Sequence, residues 1–258
     1  HEMVKDIYVD DGNDERDEND FYGMSHSNGS QRNTYLWAFD NTVCMKDEEG
    51  IPLIAITTDK INNIVNAIYD MCFNTQGVHY VHNNDDRQGM DLFLAKQAVF
   101  SIASIGSPTG EGLRNFEDEY GLLPLPKYDE NQTQYKTMVG GHHSALAVPK
   151  TAKDLEFVGI ITEALSAESW KTVTPTLYEI ALKTRSLRDS ESKEIMDMVI
   201  EGTQFDFGTV YDNWQGFAFC IQRLMGQQNN NFESYYQKKY NSARLHYKKI
   251  VKVFDKLG

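Results

Sequence analysis

The sequence predicts an α/β chain, and three observations carry that prediction. The first is the run from Met138 to Trp170. A glycine-paired polar bend (Gly140-Gly141-His142-His143) leads into Ser144-Ala-Leu-Ala-Val148, an apolar run of strand length stopped by Pro149. Thr151 can cap a helix, with Asp154 three residues on and Glu156 in the first turn, where the helix dipole favours carboxylates. Phe157, Ile160, Ile161, Ala164 and Leu165 then recur at helical spacing and predict one buried face. The second observation repeats the pattern upstream. Ala98 to Ile105 reads as a largely buried strand and runs directly into Gly106-Ser-Pro-Thr-Gly-Glu-Gly112 and a helix. The third is size: 258 residues, 40% of them hydrophobic, suffice for one large core or two smaller ones.

In chain order, Val9 to Tyr22 is an acidic loop with oxygen-bearing side chains at alternate positions, a pattern suited to calcium, which takes about 6–8 oxygens. Asp11, Asn13, Glu15 (through its carbonyl), Asp17 and Asp20 are the expected ligands, with Asp10 able to slip in and Asp14 at the turn position. Asn33 to Asp40 packs three aromatics into eight residues. Ile61, Ile64, Val65, Ile68 and Cys72 mark an amphipathic helix from Thr58 to Asn74, closed by Gly77. Gly89 to Gln97 is a short helix. Beyond Trp170, Thr172-Val-Thr-Pro175 starts a helix with Tyr178, Ala181 and Leu182 inward. Ser190 or Ser192 caps the next, which carries Ile195, Met196 and Val199 to a stop at Gly202. Phe205 to Trp214 leads into a helix with Trp214, Phe217, Ile221 and Leu224 on one face. The last helix, Phe232 to Leu257, sets Tyr236, Tyr240, Tyr247, Ile250 and Phe254 against a lysine face; such a basic amphipathic helix can lie on an anionic membrane, but it reads first as an ordinary helix packed on its own domain.

Charge and cysteine usage exclude several classes. The net charge of −13 argues against a nucleic-acid partner, because phosphate neutralisation needs clustered Lys and Arg. His1 to Gly23 carries −7 of that charge. Cys44, Cys72 and Cys220 are odd in number and far apart, so neither a disulfide framework nor a CxxC metal motif is present, and Cys72 and Cys220 fall on apolar helix faces. The strand–glycine–helix run at Gly106 lacks the lysine of a phosphate loop and the G-x-G-x-x-G spacing. Adjacent histidines on a strand point to opposite faces, so His142 and His143 do not share a metal. Ser107 and Ser144 lack the G-x-S-x-G elbow of a hydrolase. Carboxylates are plentiful, and no glycosidase pair stands out.

The wording of Val148-Pro-Lys-Thr-Ala-Lys-Asp154, with Tyr120-Gly-Leu-Leu-Pro-Leu-Pro-Lys127 before it and Ala167-Glu-Ser-Trp-Lys-Thr-Val-Thr-Pro175 after it, resembles the extracellular solute-binding proteins of ABC sugar importers. The resemblance runs through nearly the whole chain in motif order. It implies a periplasmic-binding-protein-like (type II) two-lobe fold, represented mainly by its second lobe. Residues 1–138 and 187–258 would build that lobe. Residues 139–186 would cross the hinge and form part of the first lobe, whose remainder, with a lipoprotein signal, would lie upstream of His1. The implied role is capture of an extracellular carbohydrate, most naturally an oligosaccharide, by a monomer that delivers it to ABC permease membrane subunits without covalent chemistry.

The resemblance also implies a site. Trp37, Tyr211 and Trp214 would stack on sugar faces, Gly106 and Ser107 would offer backbone N–H groups at a helix start, and one of His142 and His143 would face the ligand at the hinge. Relatives carry an EF-hand-like loop where the acidic run lies, which adds structural calcium to the expectation. Two other classes compete: a carbohydrate-active enzyme with a carboxylate pair, and a calcium-dependent adhesion or scaffold protein.

Overall fold

The structure, a computed structural model, describes residues 1–27, 30–81, 86–107, 110–140, 144, 146–178, 189–254 and 256. The elements in order are β1 (Tyr8–Val9), β2 (Phe21–Ser27), α1 (Thr34–Ala38), β3 (Cys44–Lys46), β4 (Pro52–Ile54), α2 (Thr58–Tyr69) and β5 (Val78–Val81). There follow α3 (Asp86–Leu94), β6 (Ala98–Ser101), α4 (Glu111–Arg114), β7 (Thr137–Met138), α5 (Leu155–Lys171) and α6 (Val173–Pro175). The chain closes with α7 (Ser190–Glu201), β8 (Thr203–Gln204), α8 (Phe207–Val210), α9 (Cys220–Gly226) and α10 (Phe232–Phe254). The class is therefore mixed α/β.

Two compact units share this chain. The larger comprises His1–Ala103, Leu125–Gly141 and Gly202–Gly258, the smaller Ser104–Pro124 and His142–Glu201. The chain changes unit after Gly141, and segment 104–124 and α7 both belong with the smaller unit.

In the larger unit β2 is the central strand of a four-stranded sheet. Met24 pairs in parallel with Val78 of β5 and with Phe100 of β6, while β1 runs antiparallel to the start of β2. Parallel neighbours need crossovers. Helices α1 and α2 connect β2 to β5, and α3 connects β5 to β6. A strand covered on both faces loses the in–out alternation, and Tyr22, Gly23, Ser25 and His26 of β2 are all buried. The segment before β1 lies so close to this sheet that Gly77 has no room for a side chain: a Cβ there would stand 1.8 Å from the Val4 carbonyl oxygen.

The core of this unit is helical. Ile61, Ile64, Val65 and Ile68 of α2, Cys72 in the following π-turn, Ile221 and Leu224 of α9, and Phe232, Ala243 and Ile250 of α10 are buried together with Leu36, Trp37 and Phe217. The inward stripe expected of Ile61 to Cys72 is the stripe observed. Helix α2 begins at Thr58 with Thr57 at the cap position. Cys44 is buried along with Cys72 and Cys220.

In the smaller unit four expectations are corrected. The cap of α5 is Asp154, whose carboxylate accepts the Phe157 N–H at 2.9 Å, not Thr151. No residue of α5 is buried: Phe157 is 58% exposed, Ile160 57%, Leu165 59% and Trp170 74%. The apolar periodicity is present, but among the described residues no packing buries it. Ser144 and residues 146–148 form no strand, because a strand exists only where a neighbour pairs with it. The cap of α7 is Asp189, which accepts the Ser192 N–H at 2.6 Å and thereby leaves the Ser192 hydroxyl to accept the Leu122 N–H at 2.8 Å. Met196 on α7 is buried against Tyr120, Leu122, Tyr178 and Ile200. Ala181 and Leu182 lie outside the described residues.

Candidate functional site

Open α/β sheets bind ligands outside the carboxyl ends of their strands, where successive crossovers leave toward opposite faces. In the larger unit the chain runs from β2 out to β5 and back past β2 to β6, and on the β5 side of β2 the carboxyl ends lie together, His26 pairing with Tyr80. Arg32, one turn beyond β2, is 0% exposed there. Its Nε donates to His26 Nδ1 at 3.0 Å, its Nη2 to the His26 carbonyl at 3.1 Å, and its guanidinium lies 3.9 Å from the Tyr80 ring centre. Burial lowers the Arg32 pKa from its ordinary value. A guanidinium so held fixes the edge of the sheet and places a positive charge beneath it. The sequence reading passed over Arg32. A lone arginine just after a strand, with no carboxylate near it in sequence, was the signal.

Trp37, expected to stack on a ligand, is 1% exposed in the core. Its Nε1 donates to Asp206 Oδ2 at 2.9 Å. Asp206 caps α8 and is itself buried. It also accepts the N–H groups of Val43 (2.6 Å), Cys44 (3.1 Å) and Gly208 (2.8 Å). One carboxylate thus ties α1, β3 and α8 together across more than 160 positions of sequence. The aromatic face offered to a sugar is absent here, because the same ring serves the core.

Tyr211, by contrast, is 39% exposed and stacks on Phe207 with ring centres 5.5 Å apart and planes at 14°. Trp214 lies in a 3-10 helix, Asp212–Phe219, and its side chain is outside the description, as are His142 and His143 entirely. Gly106 and Ser107 fall in the smaller unit, just before the single turn of α4. The Ser107 N–H is already donated to the Ser104 carbonyl at 2.9 Å, so that amide is not available to a ligand.

The acidic loop folds by satisfying itself. Asp10, Asp11, Asn13 and Asp17 each accept a backbone N–H two residues on, and Asp14, at the turn position, takes a left-handed φ of 59°. Asp20 is 0% exposed. Its Oδ1 accepts the Asp11 N–H at 3.0 Å, and its Oδ2 accepts Tyr8 Oη (2.9 Å), Asp17 N (3.1 Å) and Tyr22 Oη (3.2 Å). Burial pushes its carboxyl up, but these bonds outweigh burial and hold the pKa below the ordinary value. Arg16 reaches from the loop to the carbonyls of Thr75, Gln76 and Val78, the last at 2.7 Å. The carboxylates of Asp10, Asp11 and Asp20 lie within 4.8 Å of one another, whereas Asp17, expected in the ligand set, stands outside that group. An ion using Asp20 would share Oδ1 with the Asp11 N–H, because Oδ2 already accepts three hydrogen bonds. The acidic group that could hold a cation here is therefore Asp10, Asp11 and Asp20 rather than the full expected ligand set.

No protein-family model, no curated protein and no solved structure matches this chain.

Proposed function

We propose that this chain is the carbohydrate-capturing part of an extracellular ABC-importer component, binding an oligosaccharide by hinge closure and handing it to membrane permease subunits. What carries the reading is the division into two compact units between which the chain passes four times, after Ala103, Pro124, Gly141 and Glu201. Repeated crossing is what a hinged binding protein needs, since several strands of chain make a hinge that bends without twisting. A further fact supports it: the larger unit carries an α/β sheet in which β2 and β5 run parallel. Binding requires no covalent chemistry. Tyr211 and Trp214, with one hinge histidine of His142 and His143, are the proposed contacts, and closure follows from the ligand's preference for the closed state.

A thermal-shift screen against mono- and oligosaccharides tests this. A sugar that binds only the folded chain raises the midpoint by mass action, worth ~2.7 kcal/mol at a hundredfold excess over Kd. The expected result is a rise with one class of oligosaccharide that Tyr211→Ala abolishes while leaving the ligand-free midpoint near its original value. Silence across the whole panel would count against the reading.

A further inference from the structure

The outer face of α10 presents a charge opposite to that of the chain. Phe232–Phe254 holds six basic side chains and a single acid, Glu233, in a protein of net charge −13. At about 100° per residue, Arg244, Lys248 and Lys252 form one row at i, i+4 and i+8, flanked by Lys238 and Lys249. All five are exposed, and among the described residues none forms an ion pair. The opposite face of the same helix is committed: Phe232, Ala243 and Ile250 are buried, and Tyr235, Tyr236, Tyr240 and Tyr247 pack on the core. Within the cationic face stand two exposed apolar side chains, Leu245 at 59% and Val253 at 53%. Lys238 to Lys252 span ~21 Å along the helix axis.

We propose that this face docks the protein on an anionic phospholipid bilayer. The reading is independent of the sugar-binding one. Four of the five exposed cations are lysines, compact point charges that suit a diffuse field of headgroups, whereas bidentate recognition of one phosphate favours arginine. A cationic face on a helix whose other face is fixed makes a rigid platform for a plane. Leu245 and Val253 supply the apolar contacts that interfacial helices press into the headgroup layer. The acidity of the rest of the chain repels the same surface, so approach is restricted to this side. A single-stranded nucleic acid would need stacking rings among the cations, and the tyrosines of α10 point the other way. A protein partner would need a pocketed aromatic or arginine anchor at the centre of the face, where Leu245 stands instead.

The experiment is sedimentation of the 258-residue chain with phosphatidylcholine vesicles, with and without one-third phosphatidylglycerol, at low and at half-molar salt. Binding is expected only with phosphatidylglycerol and is expected to be lost in high salt. At ~1 kcal/mol per surface cation, Lys248→Gln/Lys249→Gln/Lys252→Gln should lower the partition coefficient on the order of a hundredfold. The charge-matched control Lys150→Gln/Lys153→Gln/Lys171→Gln, also on exposed lysines, should leave it unchanged. Absence of lipid-dependent sedimentation at low salt would overturn the proposal. Equal losses in the two triple variants would overturn it too, as would binding to single-stranded RNA or poly-glutamate probes in preference to vesicles. Because no sugar enters the assay, its failure leaves the sugar reading standing.

Discussion

Helices α2 and α5 carry the same kind of apolar stripe and meet opposite fates. In α2 the side chains of Ile61, Ile64, Val65 and Ile68 are at most 2% exposed, because α9, α10 and the Trp37 region close over them. In α5 Phe157, Ile160, Ile161 and Leu165 are between 42% and 59% exposed. A stripe states which face seeks burial; whether it is buried depends on elements elsewhere in the chain. The larger unit supplies them. The smaller unit has Met196 as its one buried hydrophobic cluster centre among the described residues, and α5 is held by its own backbone ladder and the Asp154 cap.

This difference can be broken first at the thiols, all three of which lie in the larger unit. Burial pushes Cys44 and Cys220 up from 9.0 to about 12 and Cys72 to about 11. A folded-state pKa above the unfolded one gives stability that is complete below pH 9 and is lost as pH rises through the folded values. Each thiol then costs roughly 1.4 kcal/mol per pH unit. Unfolding of the larger unit between pH 9 and 12, followed by near-ultraviolet circular dichroism, is expected, and reagents for free thiols should react only as it unfolds.

Smaller but still large effects belong to the Asp206 hub. Trp37→Ala should cost ~3–5 kcal/mol through the lost ring and cavity. Asp206→Ala should cost a similar amount, by leaving four donors unpaired in the core. Trp170→Ala, the same kind of change on α5, should stay within ~0.5 kcal/mol in denaturant titrations. A comparable loss at Trp170 would erase the contrast.

The acidic loop gives a finer test. Asp20→Asn should lower the thermal midpoint by the same amount in calcium and in chelator, since Asp20 serves Tyr8, Tyr22 and two amides. Its depressed pKa contributes stability that is present above the ordinary aspartate range, near 3.9, and is lost as pH falls through the lower folded value. A calcium-dependent rise in the midpoint that disappears with Asp20→Asn would instead make the loop a metal site. The smallest effect is expected from Ile160→Gln with Leu165→Gln: stability unchanged, and binding of an apolar dye reduced.

Much of the larger unit was legible because its signals are local. The stripes of α2 and α10 and the turns at glycine follow from spacing within a few residues, and so does the start of the strand at Ala98, which ends at Ser101 instead of Ile105 and buries only Ala98 fully. What was not legible was pairing at long range. Aromatic density around Trp37 does not distinguish a cleft from a core, and the answer lay in Asp206, 169 positions away. The alternation of the acidic loop is local, but the role of Tyr8 and Tyr22, which make Asp20 a hydrogen-bond centre, is not written in that spacing. Ser144 to Val148 has strand composition without a strand partner. Arg32 was passed over because its role depends on Tyr80, brought beside it by the β2–β5 register.

The most direct measurement is amide hydrogen exchange across the chain in native buffer. Amides of α2, α9 and α10 are expected to exchange only through global unfolding, whereas those of α5 should exchange through local opening at a far lower free energy. Protection of α5 equal to that of α2 would contradict the account, because it would mean that the apolar face from Phe157 to Trp170 is covered after all.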